Sequence, residues 1–244
     1  MKKYAVNNTP LYLTVKNTLL EAIKNKEIGD NGRLPSEQAL SEKFGVSRAT
    51  IRSALQSLET EGVINKRHGS STVINTEGLQ VKMRIDEFKG FFHLIKESGH
   101  QPSIAQKNLV TVSHDSRIAN FLGIDYKEEV LLIQRLFTGD DIPVILASEY
   151  IPQRLLTQEL KIDDIPESIF DLADMFCIDT IAHTITEIRS SMANPDQKKK
   201  LGMEKNETLI KLEETHYGKQ GKPLIFSDIL VRDKIIRFHS IRKR

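Results

Sequence analysis

Cysteine is nearly absent: Cys177 is the one example among 244 residues. No disulfide can close within the chain, which excludes the disulfide-braced scaffolds of small secreted domains and makes a reducing compartment the simplest setting. Long apolar runs are missing as well, and none approaches the ~18 residues that suggest a membrane span. Met1-Lys2-Lys3 opens the chain, but no apolar segment follows before Pro10, so these residues do not read as a secretory leader. The expectation is a cytoplasmic protein with no membrane partner. Other absences narrow the chemistry. No G-x-x-x-x-G-K-[ST] loop and no G-x-G-x-x-G after a strand is found, so nucleotide binding has no support. The seven histidines never stand at H-x-x-x-H or H-E-x-x-H spacing, and no G-x-S-x-G elbow occurs. No metal, no cofactor and no catalytic residue is expected, and Cys177 reads as a small core residue.

What is present is an ordinary globular composition with an uneven charge. Hydrophobic residues make 39% and charged residues 28% of the chain, which separates it from disordered sequences. The length suits two modest domains. Residues 1–76 carry seven Lys and four Arg against six Glu and one Asp, net +4, and the remainder is net −2. A basic front favours a polyanionic partner there, although a +4 segment alone decides nothing.

The first 76 residues spell helix, helix, tight turn, helix, hairpin. Tyr12, Val15, Leu19, Ala22 and Ile23 recur at three- and four-residue steps behind Pro10. Ser36 is an N-cap for a short helix to Phe44, Gly45 is a left-handed stop, and Ser47 caps the next helix. Val63-Ile64 and Thr72-Val73-Ile74 read as strands around a turn at Gly69-Ser70-Ser71. Helix, glycine turn, helix and basic hairpin form a winged helix-turn-helix. Wound at 100° per residue, Ile51, Leu55 and Leu58 fall within about 60° and face the core, which leaves Ala49, Arg52, Ser53 and Gln56 opposite and Arg48 and Thr50 beside them. That exposed face suits major-groove entry, because Arg pairs with guanine and Gln with adenine. Ser36 opens a helix whose N–H groups suit a phosphate, Arg33 and Lys43 add charge, and Lys66, Arg67, His68 and Gly69 lie on the wing. The alternative is a solvated amphipathic helix with ordinary surface arginines, or a winged helix that binds protein.

Residues 75–82 read as a linker, with Asn75-Thr76-Glu77-Gly78 its polar start, and 77–244 as a second, α+β domain. Helices are expected at Phe88–Ser98, from Asp115 or Ser116 to Leu122, at Ile169–Phe176 and at Asp196–Leu201. Strands are expected at Ile104–Val112, Val130–Phe137, Val144–Ile151, Ile181–Met192, Thr208–Tyr217 and Leu224–Val231. Thr138 to Pro143 forms a hairpin loop. An internal echo runs through this region: Leu122-Gly123 and Leu201-Gly202 lie 79 apart, and Pro143 and Pro223 lie 80 apart. It suggests one antiparallel sheet built from two similar halves. Arg135 on an apolar strand requires a partner, either an anionic ligand or a salt bridge with Glu149 or Glu187. Lys198-Lys199-Lys200 reads as a solvated helix face.

Pro10-Leu11-Tyr12, Leu34-Pro35-Ser36-Glu37, Phe44-Gly45-Val46-Ser47-Arg48-Ala49-Thr50-Ile51-Arg52, Ala54-Leu55, Leu58-Glu59, Glu61-Gly62 and His68-Gly69 resemble the GntR family of bacterial regulators. The resemblance implies DNA contact from Arg48, Thr50 and Arg52, from Gln38 on the preceding helix, and from His68 and Gly69. Ser71 departs from it, standing where many members have a second wing glycine. The remainder is similar to the effector domain of the HutC-like subfamily, the UTRA domain of chorismate-lyase-like fold. That similarity rests on Phe121-Leu122-Gly123, Arg135-Leu136, Pro143, Tyr150-Ile151-Pro152, Ser168 and Arg232-Asp233. It implies a homodimer that binds double-stranded operator DNA, and a repressor released or modulated by a small anionic metabolite such as a sugar phosphate. Candidate effector-binding residues are Arg135, Ser168, Glu149, Glu187 and Asp228. Four positions depart from the phosphosugar pattern: Phe137 replaces the second arginine of Arg-x-Arg, Ala147 and Ile225 replace glutamates, and Val231 replaces a tyrosine. An enzyme acting on a small carboxylated or phosphorylated metabolite through the second domain is the alternative, and the lack of a nucleophile-base pair stands against it.

Overall fold

In the first 80 residues, helix formation follows local capping. The computed structural model describes residues 10–29, 31–66, 71–80, 84–85, 89–125, 127–204, 207–233 and 236–241. Two compact units divide the chain between Asp86 and Glu87, and the first also takes in the residues from His239 onward. The first unit holds α1 (Leu11–Lys24), α2 (Glu37–Phe44), α3 (Arg48–Thr60), β1 (Ile64–Asn65), β2 (Val73–Ile74) and α4 (Thr76–Gln80). Ser36 Oγ accepts from the Ala39 N–H at 3.1 Å and Ser47 Oγ from the Thr50 N–H at 3.2 Å, so both helices flanking Gly45 start on a satisfied donor. Gly45 between them has φ +64°, a conformation that costs an L side chain about 1–2 kcal/mol. Leu19, Leu40, Ile51, Leu55, Leu58 and Ile64 are sealed in one core. Each such side chain stabilises the unit by roughly 1.5–3 kcal/mol.

The polar stretch after Ile74 is not an extended linker. Asn75 Oδ1 accepts from the Gly78 N–H at 3.1 Å while its Nδ2 donates to the Gly62 carbonyl at 2.9 Å, and α4 starts on that double anchor. A Cβ on Gly78 would meet the Gly62 oxygen at 2.3 Å, so glycine is required there. Further on, the Arg84 guanidinium donates to the Glu61 carbonyl at the end of α3. Arg84 also forms a parallel bridge with His239, and the Ile85 N–H donates to the His239 carbonyl at 3.0 Å. The first unit is thus completed by residues that follow the second unit in the chain.

The second unit contains α5 (Phe91–Glu97), β3 (Pro102–Val112), α6 (Ser116–Leu122), β4 (Val130–Gly139), β5 (Ile142–Pro152), α7 (Ile169–Phe176), β6 (Ile181–Ser191), α8 (Pro195–Lys200), β7 (Leu209–Gly218) and β8 (Pro223–Val231). Two single-turn 3-10 helices, Gln153–Leu155 and Ile162–Asp164, were not foreseen. The six strands form one antiparallel sheet in the order β3-β4-β5-β8-β7-β6. Strand, helix, hairpin occurs twice, and the two copies meet at β5 and β8. The sequence echo is therefore a real duplication of architecture, and it extends one strand further upstream than the echo itself.

Because strand residues alternate faces, each face has its own cover. Leu131, Ile133, Ile151 and Ile225 pack with Ile169, Leu172, Ala173 and Phe176 of α7 on one face. On the same face Phe91 of α5 meets Phe137 edge-on at 5.8 Å. The other face packs Ile118 and Leu122 of α6 against Phe226, and Leu201 after α8 against Leu136, Leu146 and Leu230. Cys177 is buried, and burial pushes its thiol up to about 11. Among the described residues no helix is long and apolar enough to cross a membrane.

The β4–β5 connection is tighter than the expected six-residue loop. The strands run on to Gly139 and restart at Ile142, leaving Asp140 and Asp141 at φ +50° and +64°. Two consecutive positive φ values match the right-handed twist of a hairpin. Asp140 earns its place by accepting from the Gln101 N–H at 2.8 Å, whereas no hydrogen bond is described for the Asp141 side chain. Asp141→Gly is expected to raise stability by a few tenths to about 1 kcal/mol, since it relieves a left-handed residue at the cost of some chain entropy. The midpoint of urea unfolding measures it, and an unchanged or lower midpoint contradicts this account of the turn.

Candidate nucleic-acid interface and ligand pocket

The third helix, α3, has two distinct sides. Ile51, Ala54, Leu55 and Leu58 are buried, while Arg48, Ala49, Arg52, Ser53 and Gln56 are exposed and Thr50 is half-buried. Arg52 is 68% exposed and reaches Glu37 of α2, with Nη2 and Nε at 3.2 and 3.3 Å from Oε2. Lys66 Nζ approaches the same carboxylate at 3.6 Å, and its backbone N–H donates to Glu59 at 3.0 Å. Glu37 was not singled out from the sequence, yet it ties α2, α3 and the base of the wing together. Gln38 is exposed and donates to Glu42 at 3.2 Å. Arg33 is exposed, bridges Val73 through its backbone, and donates to Ser71 Oγ at 3.2 Å. Ser71, the departure from the wing pattern, thus pins Arg33 at the wing's base. Ser36 and Ser47 are occupied as caps. Arg67, His68 and Gly69 lie outside the described residues.

Of the five candidate effector residues, the sheet brings three together. Arg135 lies inside the second unit with its side chain 1% exposed, bound by the 2%-exposed Glu149 of β5. Nε donates to Glu149 Oε2 at 3.0 Å and Nη2 to Oε1, while Nη1 donates to the carbonyls of Pro166 and Glu167, each at 2.9 Å. Ser168 follows directly in the chain and caps α7, accepting from the Phe170 N–H at 3.1 Å. Gly90 lies against it, since a Cβ there would meet Ser168 Oγ at 3.2 Å. The salt-bridge reading of Arg135, with Glu149 rather than Glu187, is the one realised.

Glu187 and Asp228 do not join this group. The ladder aligns Glu187, Glu213, Asp228, Ser148 and Gln134 in one row. That row faces away from Arg135, because side chains one residue apart point to opposite sides. Glu187 pairs with Arg189 at 2.6 Å. Asp228 is held by Arg117 at 2.9 Å and Lys211 at 3.0 Å. Arg117 was missed because its partners are distant in sequence.

On the Arg135 face, the four departures from the phosphosugar pattern, Phe137, Ala147, Ile225 and Val231, are all fully buried. Beside them runs a polar group that sequence reasoning also missed. His216 Nδ1 is 2.8 Å from Thr184 Oγ1 and its Nε2 is 3.0 Å from Ser227 Oγ. Burial, with Arg135 nearby, drives the imidazole down to about 3, so it is neutral. Glu214 Oε1 accepts from Thr186 Oγ1 at 3.1 Å, and burial pushes its carboxyl up to about 7.

Two family matches, two relatives and one solved structure resemble this chain. Residues 11–74 match the family described as bacterial regulatory proteins, gntR family, and residues 97–237 match the UTRA domain. The HTH-type transcriptional repressor NagR of Bacillus subtilis (strain 168) is 26% identical over 212 residues, spanning 87% of this chain and 86% of NagR. The HTH-type transcriptional regulator GgaR of Escherichia coli (strain K12) is 27% identical over 225 residues, spanning 91% and 87%. The solved structure of a possible transcriptional regulator, YydK from Bacillus subtilis subsp. subtilis str. 168, superposes with a TM-score of 0.76 at 17% identity, covering 96% of this chain and 100% of YydK. That last likeness speaks for the fold alone.

Two outcomes follow from the buried charges. Glu149→Gln leaves a buried guanidinium without its counter-charge and is expected to cost ~3–5 kcal/mol, whereas the paired change Arg135→Met with Glu149→Leu recovers most of it. Urea unfolding of the three variants decides; a mild effect of the single change would deny that the pair is desolvated. Glu214 behaves in the opposite sense to a salt-bridged carboxylate. Its folded value lies above the ordinary 4.5, so its contribution is fully present below about 4.5 and is lost as pH rises through about 7. Glu214→Gln should therefore be more stable than the parent above pH 7, with the gap closing towards pH 4.5, as measured by unfolding at a series of pH values.

Proposed function

Starting from a chain that belongs to the gntR family of bacterial regulatory proteins and carries the UTRA domain, we propose a homodimeric cytoplasmic repressor that reads operator DNA with α3 and responds to a small molecule in its second unit. One observation carries the DNA reading: Arg48 and Arg52 project into solvent from a helix whose opposite side is fully committed to the core. The ion pair between Arg52 and Glu37 does not compete seriously with DNA. An exposed pair of this kind contributes at most about 1 kcal/mol, and a bidentate arginine on guanine contributes ~1–3 kcal/mol. Glu37 instead holds Arg52 and Lys66 in place until duplex arrives. Phosphate contacts from Arg33, Gln38, Lys66 and the wing, with the N-terminus of α2 behind Ser36, supply register and most of the salt-dependent affinity.

A dimer sets two such helices in successive major grooves about 34–36 Å apart. The second unit offers an outer strand for self-association, since Ile185, Ile188 and Met192 are exposed apolar residues on or just after β6. The effector is assigned to the face that carries Arg135 and Ser168. A phosphosugar fits that face less well than the family resemblance implies. An incoming anion would have to displace Glu149 from Arg135 and strand it, at a cost of ~3–5 kcal/mol.

Arg52→Ala is expected to cost ~1–3 kcal/mol of specific operator binding. Glu37→Gln is expected to tighten binding to unrelated duplex, because it removes an anion from the interface. Fluorescence anisotropy across a salt series tests both. Undiminished affinity and selectivity in the arginine variant would overturn the docking of α3.

A further inference from the structure

The two halves of the second unit treat one equivalent position in opposite ways. Offsets of 79 and 80 residues relate β4 to β7 and β5 to β8, and the sheet order β3-β4-β5-β8-β7-β6 is symmetric about the β5–β8 contact. Arg135 then corresponds to Glu214, and the ladder agrees, because Arg135 lies opposite Ala147 and Glu214 opposite Ser227, 80 residues on. In the first half the residue two further along, Glu149, neutralises the arginine. Its counterpart in the second half is Ile229, which is buried and apolar. Among the described residues Glu214 has no cationic partner, where Arg135 has Glu149.

The surroundings of Glu214 complete the case. Its side chain is only 16% exposed, yet the one hydrogen bond described for it comes from a neutral hydroxyl, Thr186. Oε2 lies 3.8 Å from His216 Nε2, a nitrogen already engaged by Ser227 at 3.0 Å, and among the described residues no hydrogen-bond donor reaches it. Phe170 of α7 stands edge-on to the His216 ring at 6.3 Å. Glu149, the other carboxylate of this face, adds negative potential rather than relieving it. A largely buried carboxylate with a single neutral donor, still 16% exposed on its open side, is stabilised by a proton or by an incoming cation.

We propose that Glu214, with Thr186, His216 and Ser227 around it, is the subsite for a protonated nitrogen of the effector, so that the second unit senses a small amine or amidine. This rests on the reading of that unit as the ligand-sensing half of a regulator. The nitrogen donates to Glu214 Oε2, the carboxyl gives up its proton to solvent, and the resulting ion pair is the second-half counterpart of Arg135–Glu149.

The test uses the full chain with propylamine, putrescine and agmatine, and with 1-propanol, 1,4-butanediol and inorganic phosphate as controls. At least one amine is expected to raise the thermal midpoint while its matched alcohol does not. Glu214→Gln should weaken that amine about tenfold or more, the loss appropriate to one charge-assisted hydrogen bond. Calorimetry at pH 6 in buffers of different ionisation enthalpy should show a proton released on amine binding, a readout that needs no variant. Amines and alcohols acting alike, no amine acting, an unchanged response in Glu214→Gln, or no proton release would each overturn the proposal, as would stabilisation by phosphate alone. Operator binding followed in the same samples separates the two readings. Retained DNA binding without an amine response sinks this subsite only, and an amine response without DNA binding sinks the regulator.

Discussion

The two-residue period of an antiparallel ladder is the constraint on which most of the second unit depends. It puts Arg135, Glu149, Glu214 and His216 on one side of the sheet and Glu187, Glu213 and Asp228 on the other. Each side then solves its charge problem separately. The α6 side uses cations at the rim, Arg117 and Lys211, to hold Glu213 and Asp228. The α7 side closes a pair around Arg135 and Glu149 and leaves Glu214 with a neutral donor. Slipping a strand by one residue would exchange the two sets and bury several uncompensated charges, so the ion pairs also specify register.

In the first unit the controlling demand is different. The helix α3 exposes polar groups on one side and is held rigidly by the other. The alternation of Ile51, Ala54, Leu55 and Leu58 with Arg48, Arg52, Ser53 and Gln56 meets both demands in thirteen residues. Glu37 adds a local restraint of little energetic weight on Arg52 and Lys66, one that the operator contacts proposed above would replace.

Much of this was legible in the sequence because it is local. Caps at Ser36, Ser47 and Asp115, glycine stops at Gly45 and Gly123, and the stripe of α3 all involve residues a few positions apart. The helix Ile169–Phe176 and the strand beginning at Ile181 are read from periodicity alone. What escaped is what depends on pairing across the sheet. Nothing near Arg135 distinguishes Glu149 from Glu187 or Asp228 until the register is known. Glu214 was within reach, since the 79-residue echo already links it to Arg135, but its meaning requires knowing that Ile229 sits where Glu149's counterpart would be. The stretch after Ile74 was misjudged for another reason: Asn75 and Gly78 are turn-formers by composition, and only the Gly62 carbonyl above them makes a helix start there.

The bridge between Arg84 and His239 bears on how the protein is made. A ribosome releases α1 to α3 early, while His239, which pairs with Arg84 beside the end of α3, emerges only after the whole second unit. At about 5–20 residues per second the intervening ~150 residues take roughly eight to thirty seconds. For that interval the nascent first unit lacks its final stitch, and a chain cut short before residue 239 would leave that unit never fully sewn shut.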